Sequence, residues 1–144
     1  LKAVAHLFNQ YRIFYGQADD LERAYQFLTE RFKNKQSYIF TATIAKKVIG
    51  FAQVYPTFSS VGAKAIFVLN DLFIEKEYRG LGIGKELIHA VIEHAQQESI
   101  DTIVLETAID NHVAQRLYEK TGFYKETGMN TYMFKYDNTN SEYH

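Results

Sequence analysis

The chain has 144 residues, and its 16 Lys and Arg against 17 Asp and Glu leave a formal net charge of -1. That length suits one globular domain over residues 1–144, and 47% hydrophobic residues with a single proline are at odds with a disordered, collagen-like or linker-rich chain. The balanced charge gives no bulk attraction for nucleic acid, and with no cysteine there is no disulfide, no Cys-ligated zinc and no cysteine nucleophile. No apolar run approaches the ~20 residues that span a bilayer, and the N-terminus lacks the layout of a signal peptide. The expectation is therefore a soluble cytoplasmic protein with no membrane or nucleic-acid partner.

Along residues 1–15, Leu1, Val4, Ala5, Leu7, Phe8, Tyr11 and Tyr15 recur every three or four positions, which predicts an amphipathic helix ended by Gly16. Asp19 followed by Glu22 has capping-box spacing, and Leu21, Tyr25, Phe27, Leu28 and Phe32 form the apolar side of a second helix closed at residues 33–35. From Tyr38 the period changes. Residues 38–45 and 48–55 are rich in β-branched and aromatic side chains and meet across Lys46 and Lys47 as a hairpin, with Pro56 expected to stop the second strand. A third strand over residues 64–74 is apolar on both faces, as a central strand must be, except for Asn70 and Asp71. A helix from Ile83 to about Ser99 carries the stripe Ile83, Leu87, Ile88, Val91, Ile92 and Ala95. A strand over 102–108, a short helix over 111–121 ended by Gly122, a last strand over 131–136 and a polar tail over 137–144 complete the chain. The order α-α-β-β-β-α-β-α-β predicts an α/β (α+β) fold, a mixed central sheet flanked by helices.

The most informative stretch is Arg79-Gly80-Leu81-Gly82-Ile83-Gly84, between a buried strand and a helix. Glycines there permit positive φ and let a ligand approach the backbone, while N–H groups of the first helical turn converge on one spot, with Arg79 and Lys85 adding charge. An anion, a phosphate above all, is the expected occupant. The Walker pattern fails, because Arg79 stands where its first glycine belongs and Glu86 where its hydroxyl belongs. The dinucleotide fingerprint G-x-G-x-x-G fails as well, since this stretch reads G-x-G-x-G.

Arg79, Gly82 and Gly84 do satisfy [RQ]-x-x-G-x-[GA], and residues 111–123 satisfy N-x-x-A-x-x-[LF]-Y-x-x-x-G-F. On these two motifs, their order and the element order, the chain resembles the GNAT superfamily of acyl-CoA-dependent N-acyltransferases, nearest in its 69–74 stretch to the polyamine-acetylating branch. The family begins with a β-strand, whereas this chain starts in the helix that follows it, so the first strand is expected to be missing or abbreviated. The resemblance implies acetyl-CoA as co-substrate, with the diphosphate held by Arg79, Gly80, Leu81, Gly82, Ile83, Gly84 and Lys85. It also implies that the pantetheine arm runs along the backbone of Leu72, Phe73 and Ile74, with Asn111, His112, Val113, Ala114 and Tyr118 lining the other side.

Acetyl transfer needs a polarised thioester carbonyl, a neutral amine and a proton for the departing thiolate. A backbone N–H aimed at the developing oxyanion supplies the first. By its place in the second motif Tyr118 is the expected general acid, a phenol with a reference pKa of ~10 that stays protonated at neutral pH; without the motif it would read as one of 11 tyrosines packed in a core. The base candidates are Asn70, Asp71 and Glu106. Asparagine takes no proton, so Glu106 or Asp71, directly or through water, carries the role, and strand alternation predicts that Asn70 and Asp71 face opposite ways. His89 and His94 are spaced to diverge on a helix, while His6, His112 and His144 are isolated, so no metal is expected.

The acceptor is read from residues 11–20, where aromatic rings beside Asp19 and Asp20 suit a cationic amine, or else form a helix end and a cap. A small primary amine, polyamine-like or amino-acid-like, is the first reading. A protein lysine or N-terminus is a second, and a non-catalytic CoA-binding sensor a third. The aromatic content and the final strand suggest a homodimer.

Overall fold

The structure is a computed structural model that describes residues 1–136; the expected polar tail, with His144, lies outside the described residues. The elements are α1 (Lys2–Phe14), α2 (Leu21–Lys33), β1 (Tyr38–Ile44), β2 (Lys47–Ser59), β3 (Lys64–Ile74), a 3-10 turn at Lys76–Tyr78, α3 (Ile83–Gln97), β4 (Ile103–Val104) and α4 (His112–Lys120). The sheet runs β1-β2-β3-β4, with the first two pairings antiparallel and β3–β4 parallel, the mixed α/β architecture that the element order predicts.

Helices cover both faces. On one, α3 lays Leu87, Ile88, Val91 and Ala95 over Ala52, Val54, Phe67 and Leu69. On the other, Val4, Ala5, Leu7 and Phe8 of α1 and Ala24 and Leu28 of α2 close over Phe51. These are the apolar stripes legible in the sequence, and their burial is the main stabilising term of the fold.

Five local expectations are corrected. The cap of α2 is Asp20, whose carboxylate accepts from Arg23 N at 3.1 Å; Arg23 therefore occupies the third helical position, where a capping box needs a carboxylate, and Asp19 accepts instead from Asn9 Nδ2 at 2.7 Å. The hairpin turns one residue earlier than predicted, on Ala45 (φ 50°) and Lys46 (φ 66°), because consecutive left-handed residues match the twist of the two strands.

Pro56 does not stop β2. Phe67, its partner in register, sends its N–H to Thr102 O on the β4 side, so the Pro56–Phe67 pair is one that exchanges no hydrogen bonds. The missing proline N–H therefore points away from β3, and β1 ends before it, at Tyr38 opposite Val54. A proline is tolerated on such an edge.

The strand predicted over 102–108 shrinks to Ile103–Val104, and residues 131–136 form no strand, leaving Tyr132, Phe134 and Tyr136 exposed. The two results are linked, since a strand gains from neighbours on both sides and, among the described residues, β4 has only β3. Among the described residues no helix is long and apolar enough to cross a membrane.

Candidate active site

β4 pairs with β3 only at Phe67 and Val68, so from Leu69 to Ile74 the same edge of β3 has no partner strand among the described residues. Which amides face that gap follows from the ladder. Glu75 N donates to Ile49 O at 2.8 Å, so Glu75 faces β2. Alternation then turns the N–H and C=O of Ile74 and Leu72 into the gap and those of Phe73 toward β2. Of the three backbones expected to line the donor, those of Leu72 and Ile74 face the gap, and the Phe73 amide belongs to the β2 ladder. Its ring packs on Tyr11 at 6.0 Å, with the Arg79 guanidinium 5.2 Å above it. Arg79 also donates from Nε to Ile74 O at 2.8 Å, tying the glycine turn to the end of the strand.

The glycine turn opens α3 beside this gap. Gly82 is the N-cap, at φ 81° with no side chain to cap the helix, so the N–H groups of Ile83, Gly84 and Lys85 have no acceptor within the helix. A Cβ on Gly84 would lie 3.1 Å from Leu117 Cδ2, so that glycine permits the close approach of α4 to α3. Around these groups lies an open cleft of about 2170 Å³, lined among others by Leu72, Ile74, Gly82, Lys85, Ala114 and Tyr118. Arg79, Gly80, Ile83, Asn111 and Val113 also border it, whereas Leu81, 64% exposed, and His112 do not. Asn111 takes the capping alternative: its side-chain oxygen accepts from Ala114 N at 3.1 Å. A Gly82→Val change puts a β-branched side chain at positive φ, for which a destabilisation of about 1–3 kcal/mol is expected. Titration calorimetry should show CoA affinity falling at least tenfold.

Asn70 is the inserted residue of a β-bulge, since Gln53 pairs with Asp71 while Val54 pairs with Leu69. The bulge overrides strand alternation. Asn70 and Asp71, expected to face opposite ways, hydrogen-bond each other, with Nδ2 3.0 Å from Asp71 Oδ1. Asp71 is buried on the α1–α2 face, where Gln53 Nε2 donates to Oδ2 at 2.6 Å. Burial raises its carboxyl above the usual range, against the opposing pull of hydrogen bonds from Gln53, Tyr11 and Asn70. The Tyr11 hydroxyl donates to Asn70 O at 3.3 Å, and burial together with the Asp71 charge pushes its phenol up. Tyr118 is half-buried, ring edge to Phe123 at 5.9 Å, and burial followed by the nearby Tyr15 pushes it up to about 12. Glu106 is exposed and lines the open cleft.

Gln53, which donates to Asp71, and Arg23 and Tyr55, which line a smaller cavity with Asp71, were not singled out in the sequence. Gln53 had a signal, being the one polar side chain in the run 48–55. Asp19 and Asp20 take the helix-end and cap alternative: Asp19 Oδ1 accepts from Asn9 Nδ2 and Asp20 Oδ1 from Arg23 N. Among the described residues there is no cluster of three or more His, Cys, Asp or Glu able to hold a metal.

The unpaired edge of β3, the uncapped start of α3 and the Tyr118 phenol thus open onto one cleft. The sequence model described as "Acetyltransferase (GNAT) family" matches residues 1–123, and the chain belongs to that family. It is an acetyltransferase, of a family whose co-substrate is acetyl-CoA. It is 45% identical over 126 residues to an "Uncharacterized N-acetyltransferase YhfO" of Bacillus subtilis, covering 88% of this chain and 85% of that one. A crystal structure of "a probable acetyltransferase" superposes with a TM-score of 0.86 at 32% identity, over 93% of this chain and 90% of that one. A shorter match, 43% identical over 61 residues, is to "N-alpha-acetyltransferase 30" of Saccharomyces cerevisiae and covers 42% of this chain and 35% of that protein.

Proposed function

We propose that the protein moves an acetyl group from acetyl-CoA to the primary amine of a small molecule, polyamine-like or amino-acid-like, by direct attack in a ternary complex. The observation that carries this reading is the shared cleft: the Leu72 and Ile74 edge of β3 and the uncapped start of α3 open onto the same space as Tyr118. In this reading the N–H groups of Gly80, Gly82, Ile83, Gly84 and Lys85 hold the diphosphate. The Leu72 and Ile74 edge pairs with the pantetheine arm and presents an N–H to the thioester carbonyl. Asp71 accepts the proton of the attacking amine, supported by its burial beside that edge and its raised pKa. Tyr118 protonates the thiolate as the carbon–sulfur bond breaks. Glu106, exposed on the donor side, stays outside the proton path.

Thiol release from acetyl-CoA across spermidine, lysine, an aminoglycoside and a peptide with a free N-terminus tests the reading, beside calorimetry of CoA binding. Release with a small amine is the expected result. Heat without release from any acceptor would leave a CoA-binding module, and no heat would remove the reading altogether. The match to the yeast protein favours a protein N-terminus as the second acceptor class, so release with the peptide alone would select it. Tyr118→Phe is expected to lower kcat about 10²-fold or more with CoA affinity unchanged. The exposed Met129, Tyr132, Met133, Phe134 and Tyr136 support a homodimer that covers them.

A further inference from the structure

A second cavity of about 370 Å³ lies on the α1–α2 face of the sheet, and Tyr11 and Asn70 line both it and the donor cleft. Its charged groups are Arg12, Arg23 and Asp71. Arg12 Nη1 is fully buried with no hydrogen-bond partner. Neither arginine belongs to an ion pair among the described residues, where the ion pairs are Lys47–Glu75 and Lys64–Asp101. Asp71, the one acid in the cavity, is already held by the neutral amides of Gln53 and Asn70. A third guanidinium, Arg31, stacks 4.7 Å over Phe27 at the cavity wall.

A buried donor without an acceptor is costly, and two guanidiniums present planar forks suited to a carboxylate. They repel a polycation, and the acids that would have attracted one, Asp19 and Asp20, are engaged elsewhere. We propose that the acceptor is an amine carrying a carboxylate, an amino-acid-like zwitterion, with its carboxylate on Arg12 and Arg23 and its amino group toward Asp71 at the opening shared with the donor cleft. The volume is of the size that takes such a molecule. The inference rests on the acetyl-transfer reading above and narrows it from amines in general to one class.

The test separates binding from turnover. The CoA-saturated protein is titrated calorimetrically with the common L-amino acids, with their carboxamides, and with the decarboxylated amines, for example lysine, lysinamide and cadaverine. The acid of at least one set should bind about tenfold or more tighter than its amide and its decarboxylated amine. Arg12→Gln and Arg23→Gln should each erase most of that preference; Arg23 is exposed, so its variant keeps the test valid if the half-buried Arg12 proves necessary for folding. Equal or tighter binding of the amides or diamines, no binding of any acid, or a preference untouched by Arg23→Gln and by a folded Arg12→Gln overturns the proposal. Thiol release on the same sets reads the parent claim. Acid-selective binding without release supports the cavity's chemistry and sinks acetyl transfer to these acceptors; release fastest with cadaverine keeps that transfer and sinks the carboxylate.

Discussion

Asp71→Asn is expected to raise the melting temperature at neutral pH while lowering kcat about 10²–10⁴-fold. The two effects have one origin. Burial holds the native carboxyl above its unfolded value, so across that window the native state binds more protons than the unfolded chain. Stability is then fully present below the unfolded pKa of ~3.9 and falls as pH rises through the native value. An asparagine escapes that fall. Thermal melts at pH 3.5 and pH 7.5 check the sign: the variant should gain on the parent at the higher pH and lose the advantage at the lower. A variant less stable at pH 7.5 would show that the Asp71 charge is well compensated, and retained kcat would remove it as the base.

Phe51→Ala is expected to cost about 3–5 kcal/mol, roughly 10–20 °C in melting temperature for a chain of this size. Phe51 is fully buried and meets Phe8 and Tyr11 edge to face at 6.1 and 6.0 Å, so it is the floor on which α1 rests. The residue lies outside both cavities, yet Tyr11 stands between them. In protein that remains folded, the KM for the amine should therefore rise more than the Kd for CoA. Urea denaturation with an unchanged slope measures the stability term, and a loss under about 1 kcal/mol would mean that the cavity collapses at little cost.

Most of the fold was legible because its helices and first three strands carry strong periodicity and its turns carry glycine. Beyond the cap of α2 and the exact hairpin turn, what misled was a neighbour the sequence could not display. Pro56 read as a stop because its free edge depends on where β1 ends. The strand around Glu106 read as long because its apolar run does not reveal that the sheet splits after Val68. Asn70 and Asp71 read as opposed because the bulge is defined by pairing with β2. The glycine turn and Tyr118 were legible as motifs, and the fold brings both onto one cleft. The arginines of the second cavity were not, since Arg12 and Arg23 lie on different helices and only tertiary packing brings them to one wall.

Beyond Val54 the long hairpin arm projects past its sheet neighbour, and Phe58 at its end is 79% exposed. Such an arm invites a foreign chain to zip onto it, the opening event of fibre growth. Pro56 interrupts the row of donors on that flank, so the extension carries its own guard against self-assembly into fibrils.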